Sequence, residues 1–122
     1  MEIEIENLSE NTVLRVAGDV RLRGHPREEE RLVWTLRSHS HVLEHLILNL
    51  SEVSSVDSLG VGALVRVLLE CAKRQVELKV VLPSGLPGEA IRRLQIFEGC
   101  PSFENETLAI HASLPLSQAV SG

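Results

Sequence analysis

Tyrosine is missing altogether from this 122-residue sequence, and the aromatic residues it does have are Trp34, Phe97 and Phe103. A core built on stacked rings is therefore excluded, and Leu, Val and Ile must fill it. A basic excess is also missing: the formal charge is −5 at neutral pH. That balance argues against a nucleic-acid backbone or an anionic membrane as the main partner. No apolar run approaches the ~20 residues needed to cross a bilayer. The N-terminus, Met1-Glu-Ile-Glu-Ile-Glu6, has no basic region followed by an apolar stretch, so no secretory signal is read and a cytoplasmic location is expected. With only Cys71 and Cys100 there is no disulfide framework, and Cys71 falls on an apolar helical stripe where a free thiol acts as a small hydrophobe.

Several chemical signatures are missing as well. There is no Gly-x-Gly-x-x-Gly and no Walker-type Gly-x-x-x-x-Gly-Lys, so nucleotide cradling has no support and no cofactor is implied. Ser58 is not in the Gly-x-Ser-x-Gly setting of a hydrolase nucleophile. Glu52, Asp57 and Glu104 do not form a pair whose separation the sequence fixes, which leaves an acid–base site without a basis.

What remains is an ordinary globular composition, 43% hydrophobic and 24% charged, sufficient for one domain over residues 1–122. Met1, Ile3 and Ile5 alternate with Glu2, Glu4 and Glu6, the period of a half-exposed strand whose glutamates discourage pairing with another copy. Thr12–Ala17 is a second strand, ended by Gly18-Asp19 and forming a hairpin with the first. Arg21–Arg27 reads as a polar loop. Pro26–His39 is a predicted helix with Glu28, Glu29 and Glu30 in its first turns and Leu32, Val33 and Leu36 inward. Trp34 reads as core or rim packing, with an exposed contact residue as the alternative. Leu46–Leu50 is a buried strand, Ser51–Val56 a polar turn, and Ser58–Lys73 the next helix. Val76–Leu82 is a fourth strand. Pro87–Phe97 is a helix with Ala90, Ile91, Leu94 and Phe97 inward and Gly99 as its stop. Thr107–His111 reads as a last strand and Ser113–Val120 as a terminal helix. The order β-β-α-β-α-β-α-β-α predicts an α/β domain: a mixed, mostly parallel sheet packed with helices.

The stretch Leu46 to Leu64 organises the rest. An apolar strand leads through a turn into a helix that opens on Asp57-Ser58-Leu59-Gly60. Asp and Ser suit a helix start because their oxygens accept the free amide hydrogens of the first turn. A serine there is also well placed to carry a phosphate, since those amides and the helix dipole favour added negative charge. The alternative for Ser58 is an ordinary cap. Gly60 and Gly62 each cost about 1 kcal/mol of helix propensity relative to Ala. Their presence points to close helix–sheet or helix–partner packing. The nearest approach to a metal pattern is His39, His41 and His45, two of which are four apart. That segment spans a helix end and a loop, where histidines are simply tolerated.

Asn49-Leu-Ser-Glu-Val-Ser-Ser-Val-Asp57-Ser58-Leu59-Gly60-Val-Gly62-Ala-Leu64 resembles the signature of the STAS domain, named for sulfate transporters and anti-sigma factor antagonists. Val13–Gly18 resembles that family's second strand and following glycine. Leu78–Pro83, Ile91–Leu94 and Glu98-Gly99 resemble its fourth strand and third helix. The resemblance thus covers about Ile3 to Val120. It implies that the serine after the Asp, Ser58, is phosphorylated by an anti-sigma factor that is also a serine kinase. It further implies that the unmodified protein binds that factor through Asp57, Ser58, Leu59 and Gly60, freeing a sigma factor. Phosphorylation ends the binding and a PP2C-type phosphatase restores it; the chain is then a substrate and partner, not an enzyme. The sequence departs from the family at Leu59, often Ser or Thr, at Gly18-Asp-Val-Arg21 in place of Gly-x-Leu-Asp, and at Arg74-Gln75 where a Gly is common. Two other classes of function stay open: a non-phosphorylated scaffold subunit of a stressosome-like or transporter-associated complex, and a small metal-dependent enzyme using His39, His41 and His45.

Overall fold

A computed structural model describes residues 1–8, 10–39 and 44–112. Strand β1 (Glu2–Leu8) runs antiparallel to β2 (Asn11–Val20), with Ile3 opposite Val16 and Ile5 opposite Leu14. The glutamates of β1 therefore point away from the side its isoleucines bury. Helix α1 (Pro26–Ser38) follows, with Pro26 at its start, where the missing amide hydrogen has no intrahelical partner to lose. Strand β3 (His45–Val56), helix α2 (Ser58–Arg74), strand β4 (Glu77–Val81) and helix α3 (Gly85–Leu94) complete two crossovers. The two-residue strand β5 (Ser102–Phe103) pairs with the end of β4, and residues 106–112 form about two further helical turns, α4. The sheet order is β1-β2-β3-β4-β5, parallel everywhere except at β1.

Alternation along the central strands sends side chains to two separate cores. Leu14, Leu46, Leu48, Leu78 and Val80 meet Leu32, Val33 and Leu36 of α1, Leu64 and Val67 of α2, and Ile91 of α3. Val13, Ile47 and Val81 face the other way, against Ala109 of α4. Helices α1 and α2 are also tied together by Glu70, a buried carboxylate held by Arg37 Nε at 3.0 Å and Arg74 Nε at 2.9 Å.

Four expectations are corrected. Thr107–His111 is helical, not a strand, because Asn105 caps it: the Leu108 amide donates to Asn105 Oδ1 at 2.9 Å. Residues 51–56, expected as a polar turn, continue β3. Their partners are in β2, which also runs on past Ala17, so that Glu52 lies opposite Ala17 and Val56 opposite Val20. Helix α3 ends at Leu94, with Gln95 left-handed (φ 55°), so Ala90 and Leu94 lie on its exposed side while Ile91 and Phe97 remain buried. Trp34 is 67% exposed. The expected terminal helix at 113–120 lies outside the described residues.

Candidate functional site

The end of β3 delivers Asp57 to the N-cap of α2 in extended backbone, and its side chain does more than cap. Asp57 Oδ1 accepts the Gly60 amide at 2.8 Å, closing the first turn of α2. The same oxygen accepts the Leu22 amide at 3.0 Å, and Oδ2 accepts the Arg23 amide at 2.9 Å. One carboxylate thus ties the start of α2 to the loop that leaves β2. The Leu22 amide does most to hold this carboxyl below the usual carboxylate range; desolvation opposes it, and the Gly60 and Arg23 amides assist.

Gly60 is buried, and glycine is required there: a Cβ would lie 1.9 Å from the backbone oxygen of Val20. The expected close helix–sheet packing is therefore present at Gly60. At Gly62 a Cβ would meet nothing within 4 Å, so no helix–sheet contact accounts for that glycine.

Ser58 is the first residue of α2 and is exposed. The capping hydrogen bond belongs to Asp57, which corrects the reading of Ser58 as the cap. Leu59 follows it, 39% exposed. Asp57, Ser58 and Leu59 thus reach one accessible corner, with Gly60 packed beneath it.

The neighbouring loop supplies charged residues whose pairing the sequence does not declare. Asp19 receives Arg21 through two hydrogen bonds of 2.8 Å and also accepts the Ser55 hydroxyl. Arg21 first, then Ser55, depress the Asp19 carboxyl far below its ordinary value. Ser55 is thereby engaged, whereas Ser54 is exposed. Arg21, Arg23, His25 and Arg27 are all exposed, giving a basic tract that runs from the Asp57 clamp into α1 in an acidic protein. The alternation of Arg21 and Arg23 around buried Leu22 was the available signal.

The histidines do not assemble into a metal site among the described residues. His39 Nε2 lies 3.1 Å from Asn7 Oδ1, and His45 Nδ1 lies 3.1 Å from a Glu77 carboxylate oxygen. His41 lies outside the described residues.

Comparison with known proteins finds the same fold. The family model of the STAS domain matches residues 2–109. An anti-sigma factor antagonist from Mycobacterium paratuberculosis superposes with a TM-score of 0.72 at 20% identity, covering 91% of this chain and 92% of that one. SpoIIAA, an anti-sigma factor antagonist in its unphosphorylated form, superposes with a TM-score of 0.64 at 16% identity, covering 93% and 98%. The S58E form of Moorella thermoacetica RsbS gives a TM-score of 0.70 at 12% identity, covering 97% and 99%. No curated protein matches the sequence.

Proposed function

Because the chain belongs to the STAS domain family, matched over residues 2–109, we propose that it is an anti-sigma factor antagonist switched at Ser58. In its unmodified form it binds an anti-sigma factor that carries serine kinase activity, using the corner formed by Asp57, Ser58, Leu59 and Gly60. Phosphorylation of Ser58 ends that binding, and a PP2C-type phosphatase reverses it. The protein is a substrate and a partner in this scheme rather than a catalyst.

The observation that carries the reading is the division of labour between adjacent residues. Asp57 holds the corner together, so the exposed Ser58 hydroxyl is available for modification without dismantling it. A phosphate adds ~1.5–2 negative charges to a contact surface. Desolvating such a charge against a partner surface that offers it no counter-ion costs several kcal/mol, which weakens binding by about two or more powers of ten.

Phosphorylation by the kinase, followed by mass-spectrometric localisation, is the first test, with exposed Ser54 as the competing site. Calorimetry on four forms is the second. Ser58→Ala should bind the anti-sigma factor as the unmodified protein does, Ser58→Asp more weakly, and the phosphoserine form weakest. Equal affinity of the modified and unmodified forms would end the switch and favour a scaffold subunit of a stressosome-like or transporter-associated complex.

A further inference from the structure

The loop that Asp57 sews to α2 carries one arginine whose backbone is bonded to the residue that precedes Ser58. Arg23 is fixed at its backbone by the 2.9 Å bond to Asp57 Oδ2, across 34 residues of sequence. Its side chain is exposed, and no ion pair holds it among the described residues. Its neighbour Arg21 differs, being clasped by Asp19. Asp57 does not compete for the Arg23 guanidinium in the ordinary way, because its two oxygens already accept three amides.

We propose that Arg23 is a built-in counter-ion for phosphorylated Ser58, a positioning residue that holds the phosphate against the start of α2. The inference rests on the switch proposed above and adds to it. A phosphate on Ser58 stands next to the Asp57 carboxylate, and two like charges at that spacing repel unless a cation lies between or beside them. The free amides of a helix start supply part of the compensation. An arginine supplies more, since its planar fork matches two phosphate oxygens at once. The charged and titratable groups of the segments that meet at the clamp are Asp19, Arg21, Arg23 and His25 from β2 and its loop, Asp57 from the end of β3, and Arg27, Glu28 and Arg31 from the first turns of α1. Arg21 is committed to Asp19, and Arg31 to Glu28 at 3.0 Å, which leaves Arg23 as the cation anchored to the clamp itself. Held in this way, the phosphate is presented in one orientation, and the modified corner differs from the unmodified one in shape as well as charge.

The test uses full-length protein with phosphoserine incorporated at position 58 during synthesis, so that no kinase is needed. Phosphorus NMR follows the second ionisation of that phosphate with pH. The expected midpoint is about 0.5 to 1 pH unit below the value near 6 of an unperturbed phosphoserine. In Arg23→Gln the midpoint should return most of the way, in Arg23→Lys it should return partly, and in Arg27→Gln it should stay low. Amide NMR signals of residues 22 and 23 check that each variant keeps the clamp, since the backbone donors are unchanged. A midpoint that is normal from the start, or one that is lowered equally in Arg23→Gln, overturns the inference. Affinity of the phosphoserine form for the anti-sigma factor is measured separately, and its failure to fall overturns the switch without touching the titration result.

Discussion

The Leu22 amide donates to the Asp57 carboxylate over 3.0 Å, joining two segments 35 residues apart in the chain. With the Arg23 amide on the same carboxylate, it makes the helix start and the loop after β2 one structural unit. It also makes the unit sensitive to acid, because only the ionised carboxylate accepts all three amides well.

The sign of the pH effect follows from the lowered pKa of Asp57. A carboxyl that is more acidic folded than unfolded contributes its full stabilisation above the unfolded value and loses it as pH falls through the folded one. Glu106 and Asp19 are shifted in the same direction. The urea midpoint should therefore be flat near neutrality and fall below about pH 4. Asp57→Asn should be less stable at pH 7 and show a shallower fall in acid. Parallel curves for the two proteins would remove Asp57 from the account.

Gly60 and Gly62 should respond oppositely to alanine. At Gly60 the new methyl meets the Val20 oxygen, and Gly60→Ala should lose about 1–3 kcal/mol or more, as overpacking does. At Gly62 the space is open, and Gly62→Ala should gain up to about 1 kcal/mol of helix propensity. Urea denaturation of both variants is sufficient, and a stable Gly60→Ala would contradict the close approach.

Gln75 stands in the left-handed region, with φ at 60°, where it ends α2 by donating to Ala72 O at 3.2 Å. That conformation costs a side-chain-bearing residue roughly 1–2 kcal/mol, part of which glycine regains in exchange for greater freedom when unfolded. Gln75→Gly should accordingly raise stability by about 0.5–1 kcal/mol. A lower melting temperature in that variant would mean that the Gln75 side chain has a contribution of its own.

Glu106 anchors α4 to the sheet through Arg15, with Nε to Oε1 and Nη2 to Oε2 both at 2.8 Å, and accepts Asn49 Nδ2 at 2.8 Å. The Arg15 and Glu106 side chains are 28% and 23% exposed, so water weakens the pair, and Glu106→Gln should cost only about 1 kcal/mol. The larger effect should be local: faster hydrogen exchange at the Ala109 amide, which donates to the backbone oxygen of the capping residue Asn105. Unchanged exchange there would show that apolar packing of Ala109 alone holds the helix.

Much of this arrangement was legible in the sequence, for identifiable reasons. Leu46–Leu50 and Ser58–Arg74 declare themselves by unbroken or helically spaced apolar residues, and Asp57-Ser58 marks the junction between them. The extension of β3 through Ser54 and Ser55 was not legible, because those residues owe their strand conformation to partners in β2 rather than to their own preferences. Thr107–His111 is too short for its period to separate strand from helix, and the deciding residue is Asn105 upstream. The Asp57 clamp was beyond reach for a different reason. Two of its three donors are backbone amides of the Leu22 loop, which no side-chain pattern records.

The strand order has a consequence for how the chain is made. Each strand lies beside its predecessor in sequence, from β1 to β5. As the polypeptide leaves the ribosome, N-terminus first, the β1–β2 hairpin is able to form from local contacts alone. β3 then adds to its free edge, β4 to β3, and β5 to β4, each after one intervening segment. No strand has to be threaded between two that have already paired, so synthesis and sheet growth proceed in the same direction.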